Sequence, residues 1–174
     1  MKETVRFNWT QINEFIIDIY TQLNDNDFIP DLIIGVARGG VIPAINLSYL
    51  YNCRNFGIIQ FQRTIDDKPF SLLDQNNKYI GKYLPKGNFK KILLVDDIIV
   101  EGVIFKDAID KIKNTYSNQF ELCGAFIFNQ YSGKPLGKMF FSQKIDKDKW
   151  VEYPWENSTV GRKIQSPVAD ILYK

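Results

Sequence analysis

The chain has no histidine among its 174 residues and only two cysteines, Cys53 and Cys123. Without imidazole, Ser-His-Asp and Cys-His nucleophile systems and the usual zinc sites are excluded. Any chemistry must rest on carboxylates, Lys, Arg, Tyr or backbone dipoles. Two cysteines make no disulfide framework, and each sits in or beside an apolar strand-like run, where cysteine is ordinarily a small buried hydrophobe. No window approaches the roughly 18 consecutive apolar residues of a membrane helix. The charged opening, Met1–Arg6, is followed by no apolar signal core. A soluble cytoplasmic protein with no membrane partner is the expectation. Basic blocks are missing too: 22 Lys and Arg against 20 Asp and Glu give a net charge of +2. With those charges scattered, nothing supports nucleic acid as a partner.

What is present is ordinary globular composition, 45% hydrophobic and 24% charged, in a length that suits one domain over residues 1–174. Thr10 can cap a helix whose apolar residues Ile12, Phe15, Ile16, Ile19, Tyr20 and Leu23 recur at helical spacing as one buried stripe. After Pro30, the apolar run 32–36 reads as a buried parallel strand and passes abruptly into Ala37-Arg38-Gly39-Gly40. A helix over 43–51 and a strand over 56–61 complete a βαβ unit. Residues 63–90 read as a hairpin or mobile excursion. The clearest buried strand, 92–95, ends on Asp96-Asp97 before a helix carrying Ile104, Phe105, Ala108, Ile109 and Ile112. A strand over 123–128 follows, and 133–156 is aromatic and irregular, closing with Trp150, Tyr153, Pro154 and Trp155. Repeats, low-complexity tracts and linkers are absent.

Alternating strands and helices imply a mainly parallel sheet flanked by helices, an α/β fold that takes ligands outside the carboxyl ends of its strands. Two loops fall there. In Ala37-Arg38-Gly39-Gly40 the glycines let backbone N–H groups approach an anion and Arg38 offers a planar fork to phosphate oxygens; the alternative is an ordinary Gly-Gly turn. Asp96-Asp97 can accept hydrogen bonds from vicinal hydroxyls or orient a hydrated divalent cation, while the helix start after Gly102 favours phosphate. The alternative is an exposed turn with a helix cap.

Three stretches, 30–40, 92–102 and Asp148-Lys149-Trp150-Val151-Glu152-Tyr153-Pro154-Trp155-Glu156, resemble the type I phosphoribosyltransferases, and within them the small 6-oxopurine enzymes of bacteria and archaea. Trp9 and its helix are similar to the family's start. The resemblance implies that Ala37, Arg38, Gly39 and Gly40 form a pyrophosphate loop. It implies that Asp96 and Asp97 hold the ribose hydroxyls, with Mg²⁺ riding on phosphoribosyl pyrophosphate and reaching these carboxylates only through water or ligand. Val100, Glu101, Gly102, Val103 and Ile104 become the 5′-phosphate loop. Ile98, Gln130, Lys134, Trp150 and Val151 become the base site, Trp150 covering the purine face and the Val151 backbone reading exocyclic groups. An aromatic hood over about 129–174 and a homo-oligomer, dimer or tetramer, complete the expectation. For Trp150 and Trp155, core or interface packing is the alternative.

The chain departs from the family at Asp96-Asp97-Ile98-Ile99-Val100-Glu101-Gly102-Val103-Ile104, where members usually carry Asp-Asp-x-x-Asp-Thr-Gly-x-Thr. The third Asp, which assists proton transfer near purine N7, is Val100. Both phosphate-holding Thr hydroxyls are gone, one replaced by Glu101. Backbone N–H groups and the helix dipole remain. The family's base-site lysine should fall near Asn129 or Gln130, and neither is charged. Transfer of phosphoribosyl to a 6-oxopurine is the leading expectation, by positioning and electrostatic support of an oxocarbenium-like centre. A nucleotide- or partner-binding protein without the chemistry is the alternative, and RNA regulation draws little support from the charge pattern.

Overall fold

A computed structural model of the protein describes residues 3–64, 73–117 and 119–156. In chain order these form β1 (Glu3–Arg6), α1 (Trp9–Asp25), β2 (Leu32–Ala37), α2 (Val41–Leu50), β3 (Phe56–Thr64), β4 (Leu73–Tyr83), β5 (Lys91–Ile99), α3 (Val103–Lys113), β6 (Glu121–Asn129), β7 (Lys138–Lys144) and β8 (Lys149–Glu152). Six strands make one sheet in the order β4-β3-β2-β5-β6-β7, parallel except for the antiparallel β3–β4 pair. This is the mainly parallel, helix-flanked α/β sheet that the strand and helix pattern implies.

Burial on both faces explains why the central strands read as unbroken apolar runs. Ile33 of β2 with Leu93 and Val95 of β5 joins Ile12, Ile16, Ile19 and Leu23 of α1 and Ala44 and Leu47 of α2 in one core. Their neighbours Leu32, Ile34, Ile92 and Leu94 turn the other way and pack with Phe105, Ala108 and Ile112 of α3. Successive strand side chains alternate between faces, so α1 and α2 cover one side and α3 the other. Each of the Ile, Leu, Val and Phe side chains among them stabilises the fold by about 1.5–3 kcal/mol.

Several boundaries differ from the sequence reading. Asn8, not Thr10, caps α1: its side chain accepts from the Gln11 N–H and the Gln11 side chain accepts from the Asn8 N–H, both at 3.0 Å. A reciprocal box outcompetes a lone hydroxyl already inside the first turn. Helix α2 starts at Val41 rather than Pro43. β5 does not stop at Val95 but runs through both aspartates to Ile99, because β6 keeps pairing beside it, Asp96 opposite Phe126 and Ile98 opposite Phe128. The stretch 133–156 is more regular than expected: β7 adds to the sheet beside β6, and β8 pairs in parallel with β1, a strand too short to signal itself. Residues 63–90 do contain an antiparallel strand pair, β3 with β4; residues 65–72 lie outside the described residues.

Of the expected hood, 157–174 also lies outside them. Within 129–156, Trp155 stacks on Tyr153 with centroids 4.5 Å apart and approaches Trp9 at 5.7 Å. Cys123 is buried and Cys53 partly so, both as free thiols. Burial pushes the Cys123 thiol up to about 12, as inert core cysteines behave. No helix among the described residues is long and apolar enough to cross a membrane.

Candidate functional site

The chain leaves β2 towards β3 on one side of the sheet and leaves β5 towards β6 and β7 on the other. Where strand order reverses, the two departing loops diverge and open a crevice at the carboxyl ends. The register of β2 on β5, Leu32 opposite Ile92 through Gly35 opposite Val95, carries Ala37–Gly40 and Asp96-Asp97 to that crevice side by side. They touch. A Cβ built on Gly39 would sit 2.1 Å from Asp97 Oδ2, and one on Gly40 would sit 2.6 Å from Asp96 Cα. Only glycine allows backbone so close to the carboxylates. The Ala37–Arg38 peptide bond is cis, and Arg38 is exposed.

The two carboxylates are organised mainly by their own strand. The Asp97 N–H donates to Asp96 Oδ1 and the Ile98 N–H donates to Asp97 Oδ1, each at 2.9 Å. Burial pushes the Asp97 carboxyl above the usual range; hydrogen bonding to Asp96 and the Ile98 N–H, with a smaller contribution from the Tyr153 hydroxyl, pulls it partly back. Glu156 reaches the same region from the segment after β8. Its carboxylate accepts from the Tyr153 N–H at 3.1 Å. Burial raises its pKa and the Asp97 charge adds to the rise, while Arg38 opposes it. Among the described residues no cluster of three or more side chains could hold a metal ion. A divalent cation here would take most of its oxygens from ligand and water, as magnesium commonly does.

The Val100–Ile104 segment links β5 to α3. Gly102 is buried in the left-handed region at φ 74°, and a Cβ there would meet Leu136 Cδ1 at 2.5 Å and Tyr131 at 3.1 Å. Glu101 is exposed, Val100 is partly buried and Val103 is 39% exposed. Ile104 packs against the α3-side core. The N-cap of α3 is Gly102, which has no side chain with which to cap the helix, so the helix start offers backbone N–H groups.

The remaining expected site residues are more scattered. Gln130 is buried, and its Nε2 donates to the Asp146 and Lys149 carbonyls, both at 2.8 Å. Both amide protons are thereby committed to the turn that leads into β8, leaving none for a ligand's oxo group. Lys134 is exposed in the loop after β6, its carbonyl accepting from the Tyr131 hydroxyl at 2.8 Å. Trp150 lies on β8 opposite Thr4, partly buried. Val151 is buried in the α1-side core, so its backbone is what a ligand could meet. Ile98 packs partly against that same core. Tyr153 and Glu156 were not among the expected site residues, although both lie in the aromatic stretch that closes at Glu156.

A glycine loop abutting a carboxylate pair at a switch point places the chain among α/β proteins that take ligands at strand ends. The comparisons narrow this. A model of the phosphoribosyl transferase domain matches residues 8–158, and the chain belongs to that family. Xanthine-guanine phosphoribosyltransferase of Gluconobacter oxydans (strain 621H) is 26% identical over 129 residues, 72% of this chain and 68% of that one. Its namesake from Chromohalobacter salexigens is 22% identical over 149 residues, 86% of this chain and 82% of its own. The solved xanthine-guanine-hypoxanthine phosphoribosyltransferase of Helicobacter pylori superposes with a TM-score of 0.74 at 19% identity, covering 92% of this chain and 99% of that one. At such identity the superposition shows a shared fold.

Proposed function

We propose that this phosphoribosyltransferase moves the 5-phosphoribosyl group from phosphoribosyl pyrophosphate to a 6-oxopurine. The anomeric C–O bond to pyrophosphate breaks, a bond from the carbon to a purine ring nitrogen forms, that nitrogen loses its proton, and a nucleoside monophosphate results. The observation that carries the reading is the contact of Gly39 and Gly40 with Asp96 and Asp97 at the switch point. Backbone donors and Arg38 on one side would take the leaving pyrophosphate, and the carboxylates on the other would take the ribose diol. Asp96 and Asp97 would orient the water shell of a bound Mg²⁺, which would supply charge neutralisation for the leaving group. The first turn of α3 would hold the 5′-phosphate through backbone N–H groups. Trp150 would cover the base and the Val151 backbone would read its edge.

No covalent intermediate is needed, since holding diol, pyrophosphate and base in line lowers the barrier by orientation. Val100 offers no acid or base near the purine, so the proton would pass to water.

A second reading, a nucleotide-binding protein that keeps the crevice without turnover, is favoured by the hydrophobic packing of Ile104 and the exposed Glu101 in the same loop. Pyrophosphate release separates the two, assayed with phosphoribosyl pyrophosphate, Mg²⁺ and, in turn, guanine, xanthine, hypoxanthine and adenine. Release with a 6-oxo base is the expected outcome. No release with any base, alongside calorimetric binding of a purine nucleotide, selects the second reading.

A further inference from the structure

Tyr153 carries a hydroxyl that the fold buries without using. The residue is 3% exposed, and its oxygen has no hydrogen-bond partner among the described residues. The ring is not free to turn the oxygen elsewhere. Trp155 stacks on it at 4.5 Å and 12°, and Phe128 lies against it at 5.7 Å. Its own N–H is anchored on the Glu156 carboxylate. A buried hydroxyl left unpaired is unfavourable, so it calls for an explanation.

The neighbour it faces is Asp97. Leu93 and Val95 of β5 point into the α1-side core that contains Tyr153, and alternation brings Asp97 to the end of that face. The hydroxyl and the carboxyl already interact at the edge of hydrogen-bonding range, each perturbing the other's proton, but the geometry falls short of a well-formed bond. On its other flank Asp97 is hemmed in by Gly39, next to Oδ2, while Oδ1 accepts from Ile98. A small rotation of the carboxylate would therefore satisfy the phenol. Ligand hydroxyls arriving at the crevice side supply a reason for that rotation.

We propose that Tyr153 is a positioning residue for the site: when the Asp96-Asp97 pair takes a ribose diol, the Tyr153 hydroxyl closes a hydrogen bond to the Asp97 carboxylate and holds it in its binding orientation. This rests on the phosphoribosyl reading above. The bond becomes well formed only in the complex, which separates this role from ordinary packing.

Tyr153→Phe, which removes one oxygen and keeps the ring stack, tests it. The free variant is expected to melt at or above the temperature of the wild type, because the unpaired hydroxyl is gone. With phosphoribosyl pyrophosphate and Mg²⁺, calorimetric affinity should fall roughly tenfold, the effect of losing one hydrogen bond to a charged group, and the ligand-induced rise in melting temperature should shrink with it. In an Asp97→Asn background the same substitution should change affinity far less, since the two act as one unit. A lower melting temperature of the free variant with unchanged affinity would make the hydroxyl structural and overturn the proposal. An equal loss in both backgrounds would also overturn it, by putting the hydroxyl on the ligand itself. If the wild type binds no phosphoribosyl pyrophosphate, the functional reading fails and this role with it; equal affinity of wild type and Tyr153→Phe removes this role alone.

Discussion

Two loops flank the crevice, and they are built on different principles. Ala37–Gly40 is shaped by what it lacks: with no side chains on Gly39 and Gly40, its backbone lies directly on Asp97 and Asp96. Val100–Ile104 keeps one indispensable glycine, Gly102 at φ 74°, but packs Ile104 against the core and leaves Glu101 exposed. A loop that works through backbone tolerates little change in shape. One that works through side chains can lose them while the fold survives, and on the proposed reading the second loop is such a case.

The sharpest break of this contrast is a pair of alanine substitutions. Gly39→Ala puts a methyl group against the Asp97 carboxylate and should weaken binding of phosphoribosyl pyrophosphate by about a hundredfold, as an ångström-scale misplacement at a reacting site can. Gly102→Ala meets a strained φ together with Leu136, and should destabilise the fold by about 1–3 kcal/mol. Calorimetry for the first and chemical denaturation for both would show a binding defect in one loop and a stability defect in the other. Equal behaviour of the two variants would erase the distinction.

A smaller effect is expected from Arg38→Ala, which removes a planar donor while leaving the loop backbone in place. Affinity for Mg²⁺-pyrophosphate should drop roughly tenfold, the scale of one charge-assisted hydrogen bond. Unchanged affinity would leave the backbone alone as the anion site.

The mildest effect concerns stability against pH. Burial raises the Asp97 carboxyl in the folded state, so the folded protein holds this proton more tightly than the unfolded chain does. Stability should therefore fall as pH rises from the unfolded carboxyl's pKa through the folded one, and recover on acidification. Asp97→Asn removes that slope and should raise the neutral-pH melting temperature of the free protein by a few degrees, at the expense of binding. Melting curves across the acid range for both proteins would check the sign.

Much of this was legible in the chain, for identifiable reasons. β2 and β5 announce themselves because both faces are buried, and the loops after them break that pattern with Arg, Gly and Asp. The contact between the loops was not legible, because it depends on the register of β2 against β5, a pairing of distant segments. Gln130 looked like a donor to a ligand, but the turn at 146–149 folds back and takes both its amide protons. Tyr153 read as one aromatic among many; the isolation of its hydroxyl follows from the stack with Trp155 and the face on which Asp97 emerges. β1 and β8, each four residues long, are strands only because they find each other.

The most direct measurement is the rate of pyrophosphate release by the wild type and by a Val100→Asp, Glu101→Thr, Ile104→Thr variant, side by side with a 6-oxopurine. With the Ala37–Gly40 loop intact in both proteins and the second loop's side chains restored in the variant, the variant should be faster by roughly 10²–10⁴-fold, the contribution of a restored acid–base group where proton transfer limits turnover. A wild type already turning over at roughly 10 s⁻¹, with no gain in the folded variant, would contradict this and leave backbone donors as sufficient on both sides of the crevice.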